Sequence, residues 1–379
     1  MADGVPLHVS AERLLTDLER LATIGGRADG GIDRVAGSAA DLEARRWLTS
    51  RIEEAGLEAR MDEAMNVFGR VRASTGPWLL LGSHTDTVPA GGRLDGAYGV
   101  IAALEVLRTL HEAQHPAVSV VEVVSFFDEE GVMSSGLIGS RALPTDPHVD
   151  DLRGYLEIHI EQGPRLEAGG RELAVVEGIV GVERWDLIVD GEANHAGTTP
   201  FHRRHDAARA MARLVVQLPE LLQAVDRDMV GNIGVLSVAP NSPNVVPGQA
   251  RCVVELRSFN PETLQAAARR VRNVVRESCN AEGCTFMLAL RHPIAPQPMA
   301  RAAIEALSVA CERSGRPWTS MFSGAGHDAG ALAARIPAGM LFVPSKGGIS
   351  HSPHEYTDDR LLVQGAQVLL AGALLMLEH

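Results

Sequence analysis

The chain has 379 residues, 45% hydrophobic and 22% charged, a balance that predicts about two folded domains at roughly 100–200 residues each and excludes extended disorder. A formal net charge of −13 leaves no basic face for phosphates, which argues against a nucleic-acid partner. The four cysteines (Cys252, Cys279, Cys284 and Cys311) form no C-x-x-C pair and predict reduced, structural thiols in a cytoplasmic protein. Neither a secretory signal at Met1–Leu21 nor a long uncharged membrane-spanning run is predicted.

In chain order, Ser10 opens an amphipathic run to about Leu21, and Ser38 caps a second helix predicted from about Ala39 to Ala55. Apolar runs at Trp78–Gly82 and Val120–Phe127 flank a helical stretch at Gly99–Ala113. Strands that are apolar on both faces and separated by a helix predict a mostly parallel sheet in an α/β domain. From about Val180 the order becomes strand Val182–Asp190, helix Asp206–Leu222, strands Gly234–Ala239 and Ala250–Arg257, helix Pro261–Cys279 and strand Cys284–Leu290. That βαββαβ order predicts a ferredoxin-like domain. Beyond it, Ala300–Ser314 reads as helix, Ala338–Val343 as an apolar strand, and about Thr357–Leu377 as a last helix. The expectation is a catalytic α/β domain of residues 1–179 and 291–379, interrupted by an inserted lid and dimerisation domain at 180–290.

Chemistry-bearing residues follow the predicted strands. Trp78–Gly82 runs into His84 and Asp86, which strand spacing places on one side, so the carboxylate is expected to orient the imidazole. Asp95-Gly96 then leads into a helix, where loops at strand ends build sites. The run Val120–Phe127 delivers Asp128-Glu129-Glu130, whose mutual repulsion a solvated turn or a bound dication would relieve. His159 follows a third short apolar stretch, and His351 lies just past Ala338–Val343. Imidazole and carboxylate donors without thiolates favour zinc, manganese or cobalt in a catalytic site.

Together, Gly82-Ser83-His84-Thr85-Asp86, Asp95-Gly96, Asp128-Glu129-Glu130-Gly131, His159-Ile160-Glu161-Gln162-Gly163, His195-Ala196-Gly197-Thr198, Asn244-Val245-Val246-Pro247-Gly248 and Gly348-Ile349-Ser350-His351 resemble the di-metal aminoacylase and carboxypeptidase superfamily. Within it they are similar to the branch of N-carbamoyl-L-amino-acid hydrolases, allantoate amidohydrolases and β-ureidopropionases. The likeness runs in order over nearly the whole chain.

The resemblance implies two divalent cations per subunit, Zn2+ or Mn2+ or Co2+. His84, Asp95 and His159 would hold one, and Asp95, Glu130 and His351 the other, with Asp95 as the bridge. Glu129 matches the general base and Asp86 the orienter of His84. His195 matches a residue that reaches a partner subunit's site, Asn244 and Arg257 match residues holding a substrate carboxylate, and Gln162 one touching the ureido end. The implied partners are a small carboxylate-bearing substrate and a second copy of the chain meeting through the lid, with no membrane.

The chain also departs from that branch. Where Glu-Glu-Gly-Ser-Arg-Phe is common there, this chain has Glu130-Gly131-Val132-Met133-Ser134, and Phe201 replaces a usual Met after His-Ala-Gly-Thr-Thr-Pro. The expected activity is hydrolysis of an N-carbamoyl-L-amino acid or related ureido acid. The alternatives are an N-acyl-amino-acid amidase or dipeptidase with the same site and, ranked last, a metal-dependent binding protein without catalysis.

Overall fold

The computed structural model describes residues 7–143 and 147–378. The chain divides into two compact units, one formed by the residues up to Ile179 together with those from Pro298, the other by Val180–Gln297.

In the larger unit the centre of the sheet is parallel, in the order Val121–Phe126, Trp78–His84, Leu152–Ile160 and Ala338–Val343. Antiparallel pairing appears outside it, at Val67–Arg70 and Glu58–Met61 on one side and Leu173–Ile179 on the other. Trp318–Ser323 pairs with Leu173–Ile179 in parallel. The mixed α/β architecture follows from burial on both faces. Leu79, Leu81, Val121, Val123, Ile158 and Leu341 join one apolar cluster, while their alternating neighbours Leu80, Val124, Phe126, Tyr155 and Phe342 join a second.

Ser10 and Ser38 accept hydrogen bonds from Arg13 N and Asp41 N, so the helices Ala11–Thr23 and Ala39–Glu54 start at side-chain caps. Helix Ala97–Glu112 is buried over nearly its whole length between the sheet and neighbouring helices. The last helix, Asp359–Glu378, is long and apolar enough to cross a membrane by length and composition alone. Its Leu362, Ala366, Leu369, Leu370 and Ala373 are buried in the core cluster, which accounts for its composition.

The smaller unit is a four-stranded antiparallel sheet ordered Thr285–Leu290, Gly181–Asp190, Gln249–Ser258, Val230–Ala239. Helices Ala207–Gln223 and Pro261–Glu282 share an apolar cluster with Leu187, Val189, Val254 and Leu256 of its strands. Asp206 and Asn260 cap the two helices, and Pro261 takes the first helical position, where no backbone donor is needed. The end of this unit lies at Gln297 rather than at 290. Arg291 pairs with Asp186 at 2.6 Å and Ile294 forms a bridge with Val182, so these contacts hold 291–297 to the sheet.

Candidate metal centre

The centre lies at the carboxyl ends of the parallel strands. The chain leaves Trp78–His84 and returns on one side as Val121–Phe126, then places Leu152–Ile160 on the other side. Loops diverge at such a switch point and leave a crevice. His84 ends the first strand and His159 lies next to the end of the third, with their rings 6.0 Å apart. Glu129 and Glu130 follow Val121–Phe126, and His351 follows Ala338–Val343.

Asp95 is the geometric centre. Its Oδ1 lies 3.1 Å from His159 Nε2 and 3.8 Å from His84 Nε2, while its Oδ2 lies 3.1 Å from His351 Nε2. Glu130 Oε2 stands 3.3 Å from the same His351 nitrogen. His84, Asp95 and His159 therefore form one potential ligand group and Asp95, Glu130 and His351 another, sharing one carboxylate. The backbone that delivers Asp95 demands glycine next to it. Gly96 has φ +63°, and a Cβ there would lie 2.4 Å from His84 Nε2.

The imidazoles are oriented for donation. His84 Nδ1 lies 3.0 Å from the Asp86 carbonyl oxygen and His159 Nδ1 lies 2.8 Å from that of Ile160. A carbonyl only accepts, so each Nδ1 carries the proton and each Nε2 is left to face Asp95. The Asp86 carboxylate also faces His84, 3.6 Å from Nδ1, and accepts from Glu129 N at 3.3 Å and Glu130 N at 3.2 Å. Asp86 therefore meets the histidine through both its carbonyl and its carboxylate, and holds the acidic turn as well.

The charges converge without a fixed cation. Among the described residues, the ion-pair partners of Asp95 and Glu130 are histidines. Burial would raise Asp95, but the adjoining His159 and His351 keep it well below the usual carboxylate range. Burial, reinforced by Asp95, pushes Glu130 up to about 7, and its Oε1 is buried without a hydrogen bond. Burial also raises Glu129 well above its ordinary value against the opposing pull of His84, whose Nε2 is 3.7 Å away. A site that strains its acids in this way, with only nitrogen and oxygen donors, fits divalent cations.

A deeper set of polar groups escaped the sequence reading. Glu157 accepts from Ser83 Oγ at 2.7 Å and from Ala329 N at 2.9 Å, and the His327 ring packs edge-on against His159 at 4.6 Å. Burial, then the neighbouring His159, hold His327 well below its usual range, and burial beside Glu157 lifts Asp328 to about 8. Glu157, His159 and His327 are close enough to hold a metal, but both Glu157 oxygens are already satisfied by neutral donors, as befits a support for His159. Arg34, fully buried, donates to the carbonyls of Thr85, Leu21 and Ile24 and pins the turn after His84. None of these four residues sits in a pattern that marks it in the chain, and only packing brings them together.

Gln162 belongs to the centre, with φ 58°, but its Nε2 donates to Asp95 Oδ2 at 2.8 Å, so its amide is engaged with the bridging carboxylate. In the smaller unit, His195 and Asn244 come together. Asn194–His195 pairs with Val245–Val246, and Ala196 N donates to Asn244 O at 2.9 Å. His195 Nδ1 accepts from the Gly197 and Thr198 amides, which leaves Nε2 as the outward nitrogen. Arg257 is not brought to them. It lies at the far end of the strand that begins at Gln249, eight residues on, roughly 26 Å at the usual rise per residue. Within one copy of the unit, Asn244 and Arg257 therefore stand apart.

Comparison with known proteins places this geometry in context. The model of peptidase family M20/M25/M40 matches residues 80–374. The chain is 33% identical to an allantoate amidohydrolase of Bacillus subtilis, over 95% of this chain and 97% of that one. It is equally 33% identical to an N-carbamoyl-L-amino acid amidohydrolase of Geobacillus stearothermophilus, with the same coverages. Among solved structures, an amidase of the hydantoinase/carbamoylase family from Burkholderia phymatum superposes with a TM-score of 0.87 at 35% identity, covering 98% of both chains.

Proposed function

The chain belongs to peptidase family M20/M25/M40, and from that premise we propose that it hydrolyses the C–N bond of an N-carbamoyl-L-amino acid or a related ureido acid at a centre of two divalent cations. It is a metal-dependent amidohydrolase acting on non-peptide C–N bonds. The observation that carries the two-cation reading is that the two oxygens of Asp95 face separate ligand groups. His84, Asp95 and His159 would hold one ion and Asp95, Glu130 and His351 the other, as Zn2+, Mn2+ or Co2+. When bound, such cations polarise a carbonyl and lower the pKa of water.

The protein's own groups supply the proton transfers. Glu129, buried beside His84, takes the proton of the attacking water and returns it to the departing nitrogen. Asp86 fixes the backbone of that base. The free amino acid leaves, and the carbamate released from an N-carbamoyl substrate falls to ammonia and carbon dioxide. The test is release of amino acid and ammonia from a panel of N-carbamoyl, ureido and N-acyl compounds by metal-reconstituted protein. Turnover confined to N-acyl compounds overturns the ureido assignment. One observation favours that second reading, an N-acyl-amino-acid amidase or dipeptidase. Val132 and Met133 stand exposed close to Glu130 in sequence and offer apolar surface to an acyl group.

The smaller unit is proposed as a ferredoxin-like lid through which two copies pair, with its long edge strand Val230–Ala239 and the exposed Val235 and Leu236 available for burial. A dimer also accounts for the separation of Asn244 from Arg257, because His195 and Asn244 of one copy would serve the site of the other. Glu129→Gln and His195→Ala proteins, each inactive, are then expected to regain about a quarter of wild-type activity per chain when mixed equally, since half the dimers hold one complete site. Subunit exchange is verified by mass spectrometry of tagged chains. Exchange without recovery refutes action across the dimer. A cytoplasmic location is proposed with this reading, supported by four free, buried cysteines.

A further inference from the structure

We propose that Glu355 is a positioning residue that locks the bridging carboxylate and the His351 ligand into one geometry, so that the second cation position depends on it. The inference rests on the two-cation reading above and adds to it a residue that neither ligates nor touches substrate.

Glu355 is 5% exposed and its two oxygens are divided between two loops. Oε1 accepts from the amides of Leu94 at 2.8 Å and Asp95 at 3.0 Å. Oε2 accepts from Ser350 Oγ at 2.7 Å, and that hydroxyl lies 3.2 Å from Asp95 Oδ2 and one residue from His351. The side chain therefore joins the turn that presents Asp95 to the turn that presents His351, which are separated by more than 250 residues of chain.

The two turns differ in how much else holds them. Asp95 is also fixed by the start of the helix, where Ala97 N donates to its carbonyl and Tyr98 N to that of Leu94, and by His159. His351 has a half-exposed side chain and a left-handed backbone at φ 52°, a conformation that costs a residue with a Cβ and needs support from its surroundings. Ser350 and Glu355 are that support. Loss of Glu355 should release His351 and leave the pair His84 and His159 in place.

The fold reserves the space for this carboxyl. A Cβ on Gly92 would lie 2.0 Å from Glu355 Oε1 and 2.1 Å from its Cδ, so only glycine lets the group reach the Leu94 and Asp95 amides. Gly92 does not need a left-handed backbone, so an alanine there is excluded by the carboxyl and not by its own φ. Gly92→Ala is therefore a way to displace Glu355 without changing it.

The experiment is Mn2+ titration of the metal-stripped full-length protein, with free ion read by electron paramagnetic resonance, alongside thermal melting. Wild type is expected to take two ions per chain. Glu355→Ala and Gly92→Ala should each weaken one of the two about 10–100-fold, the usual effect of removing an outer partner of a metal ligand. The ion retained should bind with the affinity left in His351→Ala. The double variant Gly92→Ala/Glu355→Ala should lose no more than Glu355→Ala alone, because the clash disappears with the carboxyl. Glu355→Gln keeps the acceptor for the two amides and loses the one for Ser350, so its loss should be intermediate. Two ions bound with wild-type affinity by the folded Glu355→Ala or Gly92→Ala protein overturn the inference and leave the two-cation reading standing. If Glu355→Ala does not fold, unchanged affinity in Gly92→Ala and Glu355→Gln overturns it equally. A wild type that takes fewer than two ions overturns both.

Discussion

Asp95→Asn is expected to reduce bound metal from two ions per chain to none and to abolish turnover. Asp95 turns one oxygen toward His159 and His84 and the other toward His351. An asparagine retains one oxygen, carries no charge, and would present an amide NH2 to one of the two ligand groups. A neutral amide is a poor ligand for one dication and a worse bridge between two. The surroundings sharpen the effect. Gln162 Nε2 donates to Asp95 Oδ2 at 2.8 Å, so an amide nitrogen at that position would face a donor. Metal analysis after gel filtration decides the matter. A folded variant that still holds two ions per chain shows that the bridge is elsewhere. One that keeps a single ion shows that the two groups are independent.

Glu129→Gln should behave in the opposite way, holding its metals while turnover falls by about two to four orders of magnitude, the range for loss of a positioned general base. Glu129 belongs to neither ligand group, although its Oε2 lies 3.7 Å from His84 Nε2. Its backbone amide is held by Asp86 Oδ1, a contact the glutamine keeps, so the turn and its neighbour Glu130 stay in place. Burial raises the Glu129 carboxyl well above its ordinary value, which brings a group that would be a weak base in water toward the range where it can accept a proton. KM should change less than kcat, because the group acts on the water and not on the substrate's binding groups. Metal content and kinetics must be measured on the same preparation. Loss of metal from Glu129→Gln would reverse the roles of Glu129 and Glu130.

The candidate metal ligands were legible in the chain because each follows a strongly apolar run, at His84, Glu130, His159 and His351, and because Asp95 precedes a glycine where a helix begins. Loops at strand ends carry such groups whatever the details of packing. The role of Asp86 was partly legible. Residue spacing brings its carboxylate near His84, whereas the added contact from its carbonyl depends on a backbone turn that no spacing rule contains. The strands Glu58–Met61, Val67–Arg70 and Leu173–Ile179 lay outside the sequence reading because short strands at or near a sheet's edge have little periodicity of their own.

The sequence by itself determined the α/β texture, the helix starts at Ser10, Ser38, Asp206 and Asn260, and the identity of the residues that could meet a metal. These are local properties, set by hydrophobic period, capping chemistry and the valence of each side chain. Tertiary structure alone decided which of those residues meet. It brought Glu355 from near the end of the chain onto the amides of Leu94 and Asp95, placed His327 and Glu157 against His159, and set Arg257 at the opposite end of its strand from His195 and Asn244. Contacts of that kind join positions up to 261 residues apart, and they arise from strand order and close packing, which a pattern read along one chain does not contain.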